Sequence, residues 1–104
     1  MSSLVNHPSH YSKEGRKECI EEMLELYGEH ITAIFCLTNS YKYIYRAGEK
    51  DGNSEKQDMQ KARWYYEYAK RIIDRKDLVG RFRDLYDYIK YRTEEYWIGE
   101  QVQE

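Results

Sequence analysis

S-E-K-Q-D-M-Q-K-A-R-W-Y-Y-E-Y-A-K-R-I-I (54–73) is the stretch that decides the fold. Ser54 is followed three residues on by Gln57, the spacing at which a hydroxyl and an amide each satisfy a free backbone N–H at a helix start. Behind that cap Met59, Ala62, Tyr66, Ala69 and Ile73 recur at near-heptad spacing, which gives a helix one apolar seam. A helix is therefore expected from about Ser54, laid along a partner by that seam.

Reading outward from it, A-G-E-K-D-G-N (47–53) carries two glycines and reads as a surface loop. Before the loop a helix is expected from about Glu29 to Arg46, with Ile31, Ile34, Phe35 and Thr38 on its inner face and a C-terminal half rich in Tyr, Lys and Arg. Gly28 is a natural stop for an earlier helix, from about Glu14 to Tyr27, with an apolar stripe of Ile20, Met23, Leu24 and Tyr27. The first 13 residues read as an ordered arm, since Pro8 fixes its own φ and biases His7 to extended geometry. After the seam helix comes a charged break, D-R-K-D (74–77). Leu78, Phe82, Leu85 and Ile89 then recur at steps of four, three and four, in a segment that could run to Trp97 before Gly99. Strand-like alternation is absent. The expected fold is all-α, a small bundle of three to four helices with an ordered N-terminal arm. Residues 1–76 would form the core and 77–104 a helical extension, within a single domain.

Composition agrees and narrows the function. A chain of 104 residues can bury one core. With 40% hydrophobic and 35% charged residues it suits a helical domain with a long solvated surface. No apolar run approaches the roughly 20 residues that span a bilayer. The opening M-S-S-L-V-N-H-P lacks a secretory pattern, so a cytoplasmic location is expected. A net charge of −2 disfavours a groove along a long nucleic acid, while allowing a local positive pocket. Cys19 and Cys36 fall in separate helical patterns without zinc-motif spacing and read as buried thiols. Tyrosine is the outlier, 12 residues in all, and suits half-buried positions, ligand pockets and subunit interfaces. Tyr86, Tyr88, Tyr91, Tyr96 and Trp97 point around the last helix in several directions, from which a homo-oligomer is expected.

Two polar stretches interrupt this core-building pattern. Asn39, Lys42, Tyr43 and Arg46 fall at i, i+3, i+4 and i+7, one face of a helix. Asp58, Lys61 and Tyr65 share a face of the next helix, with Trp64 alongside. Turned toward each other, the two faces would form a cationic, aromatic-walled cleft suited to a small anion with a flat ring, such as a nucleotide. Lys42, Arg46, Lys50 and Lys61 are candidate phosphate ligands, arginine as a bidentate fork and lysine as a point charge. Trp64 or Tyr65 could stack a base and Asn39 could read its edge. The competing reading is a solvated face laced with i, i+4 ion pairs, the commoner fate of surface cations, and residue chemistry alone favours it.

The carboxylates are equally double-sided. Asp58 could orient a cation, bind a sugar hydroxyl or act as a base, yet it lies in a first helical turn, where the macrodipole alone favours an acid. Glu18, Glu21, Glu22 and Glu25 could hold Mg²⁺ with substrate phosphates or simply solubilise a helix. His7 and His10, three apart around Pro8, make a weak metal pair without a third ligand. Glycine-rich phosphate loops and G-x-S-x-G are absent, so helix-borne side chains would have to hold any nucleotide.

N-H-P-S-H-Y (6–11), Gly15, E-C-I-E (18–21), N-S-Y-K-Y-I-Y-R-A-G-E-K (39–50) and D-M-Q-K-A-R-W-Y (58–65) together resemble a small helical family borne by phages and prophages. Much of that family is of unknown function, and one branch is the P-loop-less nucleotide kinase of T-odd bacteriophages. The resemblance covers about residues 5–73. It implies a deoxynucleoside monophosphate kinase-like phosphotransferase, with Lys42, Arg46 and Asp58 in catalytic roles. It implies substrate contacts from His7, His10, Tyr11, Asn39, Tyr43, Lys50, Lys61, Trp64 and Tyr65, the arm closing a third wall. A nucleoside triphosphate donor with Mg²⁺ would accompany the reaction. Thr38, Glu21 and Gln57 stand where the family commonly has Gly, Asp and Glu; the cations are intact, and any carboxylate role is the part put in doubt. Two other classes stay open: a nucleotide-binding protein without turnover, and a Tyr-rich oligomeric adaptor.

Overall fold

The computed structural model describes residues 18–49, 52 and 54–102. Over these the chain forms α1 (Cys19–Tyr45), α2 (Glu55–Ile72) and α3 (Gly80–Val102), with a 3-10 turn at Arg75–Asp77 between the last two. No strand occurs among the described residues. The N-terminal arm with His7, His10 and Tyr11, and also Lys50, lie outside them.

Gly28 divides α1 into two limbs. Its φ of 86° and ψ of 174° fall in a region open essentially to glycine alone, so the helix stops and restarts where the sequence places a break. Glu18 is extended and stands as N-cap, so the first limb runs from Cys19; the expected start near Glu14 lies outside the described residues. Ile20 is buried there, while Tyr27 is exposed.

The second limb turns a different face inward from the one expected. Thr32, Ala33, Cys36, Leu37, Ser40 and Ile44 are buried. Ile31 is 56% exposed and Phe35 37%, and Thr38 is exposed with its hydroxyl donating back to the Ile34 and Phe35 carbonyls. The physical reason is side-chain size. Ala33, Cys36 and Ser40 let the α1 and α2 backbones approach until Ser40 Oγ donates to the Ala62 carbonyl at 2.8 Å. That buried bond and the dense contact around it outweigh the bulk of Ile31 and Phe35.

Helix α2 begins as its sequence dictates. Ser54 Oγ accepts the Gln57 N–H at 3.1 Å, and Gln57 Oε1 accepts the Ser54 N–H at 3.1 Å. Met59, Ala62, Tyr66 and Ala69 are buried along the expected seam. Trp64 and Tyr68 are buried as well, their rings stacked at 5.3 Å, so α2 is covered on more than one side.

Helix α3 completes the core rather than trailing from it. Leu78 and Ile89 are buried, and the Tyr86 ring meets Tyr66 edge-on at 5.5 Å. Thr93 is buried too, its hydroxyl donating to the Ile89 carbonyl at 2.9 Å. Arg75 grips Asp87 with two bonds of 2.8 and 2.7 Å, fixing the turn against the helix. Of the C-terminal tyrosines, Tyr91 is largely exposed and Tyr88 less so, while Tyr86 and Tyr96 are partly buried against the core.

The cysteines divide in environment, contrary to the expected pair of buried thiols. Cys36 is fully buried, and burial pushes its thiol up to about 12. Cys19, at the first turn of α1, is exposed. No helix among the described residues is long and apolar enough to cross a membrane.

Candidate functional site

The two polar stretches meet where the C-terminal half of α1 crosses the N-terminal half of α2. Tyr43 is the hub. Lys42 Nζ lies 5.1 Å, Arg46 Cζ 4.7 Å and Lys61 Nζ 5.6 Å from its ring centroid, so cations of both helices converge on one ring. Each such contact contributes about 0.5–1 kcal/mol where exposed. Tyr65 of α2 lies parallel to Tyr43, with centroids 6.0 Å apart and planes within 12°.

Some of the other cations form the ion pairs of an ordinary solvated surface, such as Arg63–Glu67, Lys70–Glu67 and Lys90–Glu94, while Lys56, Arg81 and Arg83 have none among the described residues. Lys42 and Lys61 have no such partner among the described residues. Arg46 faces Asp58, while Lys42 and Lys61 carry positive charge that no acid among the described residues pairs with.

Asp58 stands behind this face, not in it. It is wholly buried, and its Oδ2 accepts the Gly48 N–H at 3.2 Å. Its Oδ1 points at Arg46 Nε across 4.0 Å. A carboxylate without solvent exposure stands behind Arg46 and the turn it holds, not on the surface that a ligand would meet, contrary to the catalytic role expected for Asp58. Gly48, which sequence reasoning left as a loop glycine, makes the arrangement possible. Its φ is 78°, and a side chain there would bring Cβ to 3.2 Å from Glu55 Cβ. The A-G-E loop pattern was the available signal, but nothing local said where its amide would point.

Asn39 and Trp64 are also committed within the fold. The Asn39 amide sits beside the Tyr65 phenol; burial pushes that phenol up, Tyr43 adds to the effect, and Asn39 offsets part of it. Trp64 is 7% exposed and meets Tyr65 edge-on at 5.1 Å, with Tyr68 stacked on it. Its indole is a wall rather than an open stacking surface.

Tyr65 also walls a cavity of about 140 Å³, together with Glu18, Cys19, Ile20, Met23, Phe35 and Trp64. Nothing in the sequence pattern announced it, because its walls come from both limbs of α1 and from α2. A larger opening of about 380 Å³ between Glu55, Met59, Arg92 and Tyr96 contains none of the candidate residues. Glu18 is buried and Glu25 exposed, so the acids of the first limb form no common row. Among the described residues no three His, Cys, Asp or Glu side chains converge as metal ligands.

A family model described as a protein of unknown function, DUF3310, matches residues 5–67, which takes in α1, the loop and most of α2. No curated protein matches the chain significantly. No solved structure does so either.

Proposed function

The chain belongs to the DUF3310 family of unknown function, and from its cationic face we propose that it binds a nucleotide, holding the phosphates between Lys42, Arg46 and Lys61. The observation that carries this reading is the convergence of three cations from two helices on the Tyr43 ring. An anion relieves their mutual repulsion, and helix-borne cations supply the neutralisation that a phosphate loop gives elsewhere.

The sequence resemblance extends the reading to a phage-borne phosphotransferase acting on deoxynucleoside monophosphates. In that reaction a phosphate oxygen of the monophosphate attacks the terminal phosphorus of a triphosphate. The bond to the donor's β-phosphate oxygen breaks as the new P–O bond forms, and two diphosphates result. The demand on the protein is positioning and charge stabilisation, which the Arg46 fork and the two lysines supply. The acceptor oxygen is already ionised near neutral pH, since the second phosphate pKa is about 6. No general base is required, in keeping with a buried Asp58 that orients Arg46. A Mg²⁺ arriving with the donor would take its ligands mainly from phosphates and water, since no protein cage stands among the described residues.

A second reading is a protein that holds a nucleotide without turning it over, which the same cationic face would serve equally. One incubation separates the two. Mixing the protein with a deoxynucleoside monophosphate and a triphosphate yields new diphosphate from a phosphotransferase, and unchanged ligand from a binder. Binding itself is tested by thermal stabilisation, where ligand at 100 times its Kd adds about 2.7 kcal/mol. If neither mono-, di- nor triphosphates shift the melting temperature, nucleotide binding is wrong.

A further inference from the structure

We propose that the cavity behind Tyr65 is the base pocket of this site, with Cys19 on its rim. The inference rests on the nucleotide reading above and adds to it where the ring goes. Size limits the occupant first. At about 140 Å³ the cavity is well below the roughly 300–1,000 Å³ of sites that enclose a whole drug-sized ligand, so it has room for a ring system and not for sugar and phosphates as well.

Chemistry and position agree. Phe35, Trp64 and Tyr65 supply three aromatic walls, Ile20 and Met23 add apolar surface, and Glu18 brings a buried carboxylate to the lining, a combination suited to a flat heteroaromatic ring that carries N–H donors. Tyr65 joins this cavity to the cations. It meets Phe35 at 6.1 Å on the cavity side and Tyr43 at 6.0 Å on the other, and Tyr43 lies 4.7 Å from the Arg46 guanidinium. Tyr65 is thus shared, a wall of the cavity and a neighbour of the ring on which the cations converge, so the two features adjoin through it. The partial exposure of Phe35, a cost in the free fold, then gains a purpose: it forms part of a rim that a ring covers.

The two cysteines supply the experiment. Cys19 is exposed and lines the cavity, whereas Cys36 is buried with its thiol pushed up to about 12, so alkylation of the folded full-length chain reports on Cys19. Alkylation by iodoacetamide is followed by intact mass with and without saturating deoxynucleoside monophosphate or deoxyribose 5-phosphate. The expected result is at least tenfold slower modification with the nucleotide and an unchanged rate with the sugar phosphate. In parallel, Cys19→Phe, which plugs the rim, lowers monophosphate affinity to that of deoxyribose 5-phosphate while leaving affinity for the sugar phosphate unchanged. Arg46→Ala weakens both ligands together. A nucleotide that binds but leaves the alkylation rate and the Cys19→Phe affinity unchanged overturns the base pocket and leaves the nucleotide reading standing. Failure of every nucleotide to bind overturns both.

Discussion

Arg46 Nε and Asp58 Oδ1 face one another across 4.0 Å, both shielded from solvent and neither hydrogen-bonded. The gap is beyond hydrogen-bond range, so the pair is electrostatic and a small rotation of the guanidinium would close it. Among the described residues the Asp58 carboxylate accepts one hydrogen bond, from the Gly48 N–H. The carboxylate therefore ties together the end of α1, the turn that follows and the first turn of α2.

Removing either member should act differently on stability and on binding. Asp58→Ala leaves the Gly48 amide without its acceptor and is expected to cost about 2–4 kcal/mol in urea unfolding. Asp58→Asn keeps an acceptor and should cost less than half of that. It should still weaken nucleotide binding, because Arg46 is no longer held by charge. Arg46→Ala is expected to abolish binding with helicity unchanged by circular dichroism. Full affinity in that variant would falsify the phosphate assignment.

Glycine positions give a paired test of backbone conformation. At Gly28 there is open space for a side chain but the dihedrals exclude one, so Gly28→Ala should destabilise by about 1–3 kcal/mol. Gly99 lies in α3 with equally open surroundings and no positive φ, and Gly99→Ala should stabilise by about 0.5–1 kcal/mol. Equal effects in chemical denaturation would mean that the break in α1 carries no strain.

The cap of α2 can be weighed separately. Ser54→Ala removes the acceptor for the Gln57 N–H and should cost about 1 kcal/mol. Because α2 carries Lys61 and Tyr65 into the site, nucleotide affinity should follow the loss of helix order at low denaturant.

The Arg75–Asp87 clasp predicts a pH dependence. Hydrogen bonding by Arg75 holds the Asp87 carboxyl below the usual aspartate range, and the aspartate in turn raises Arg75. A depressed folded pKa means that the contribution is present above the unfolded value and lost as pH falls through the folded one. The stability difference between the wild type and Asp87→Asn should thus be constant from neutrality to about pH 4 and shrink below it. Both residues are exposed, so the difference should be small and fall further at high salt.

Helix α3 lies beyond the residues that the family model matches, yet it is bound into the core through Ile89 and Tyr86. Ile89→Ala should cost about 2–5 kcal/mol, as for a buried aliphatic side chain. A neutral result would show α3 to be an appendage of the matched region.

The amino-acid sequence by itself determined where α2 begins and where α1 breaks, though not where α3 ends, since that helix runs through Gly99 to Val102. The Ser54–Gln57 cap, the break at Gly28, the loop after Arg46 and the seam of α2 are local, set by backbone dihedrals and by hydrogen bonds between near neighbours. That Lys42, Tyr43 and Arg46 share one face, and Lys61 and Tyr65 another, was also legible from helical spacing, although residue chemistry alone favoured a solvated surface there. What only the tertiary structure decided was depth. Which face of α1 turns inward depends on how closely two helices approach, and small side chains at 33, 36 and 40 won over the larger apolar ones at 31 and 35. Asp58 looked like a first-turn acid and Trp64 like an open ring, because burial is a property of what packs against a residue from elsewhere in the chain. The cavity behind Tyr65 belongs to the same class: three separate segments wall it, and no one of them records it.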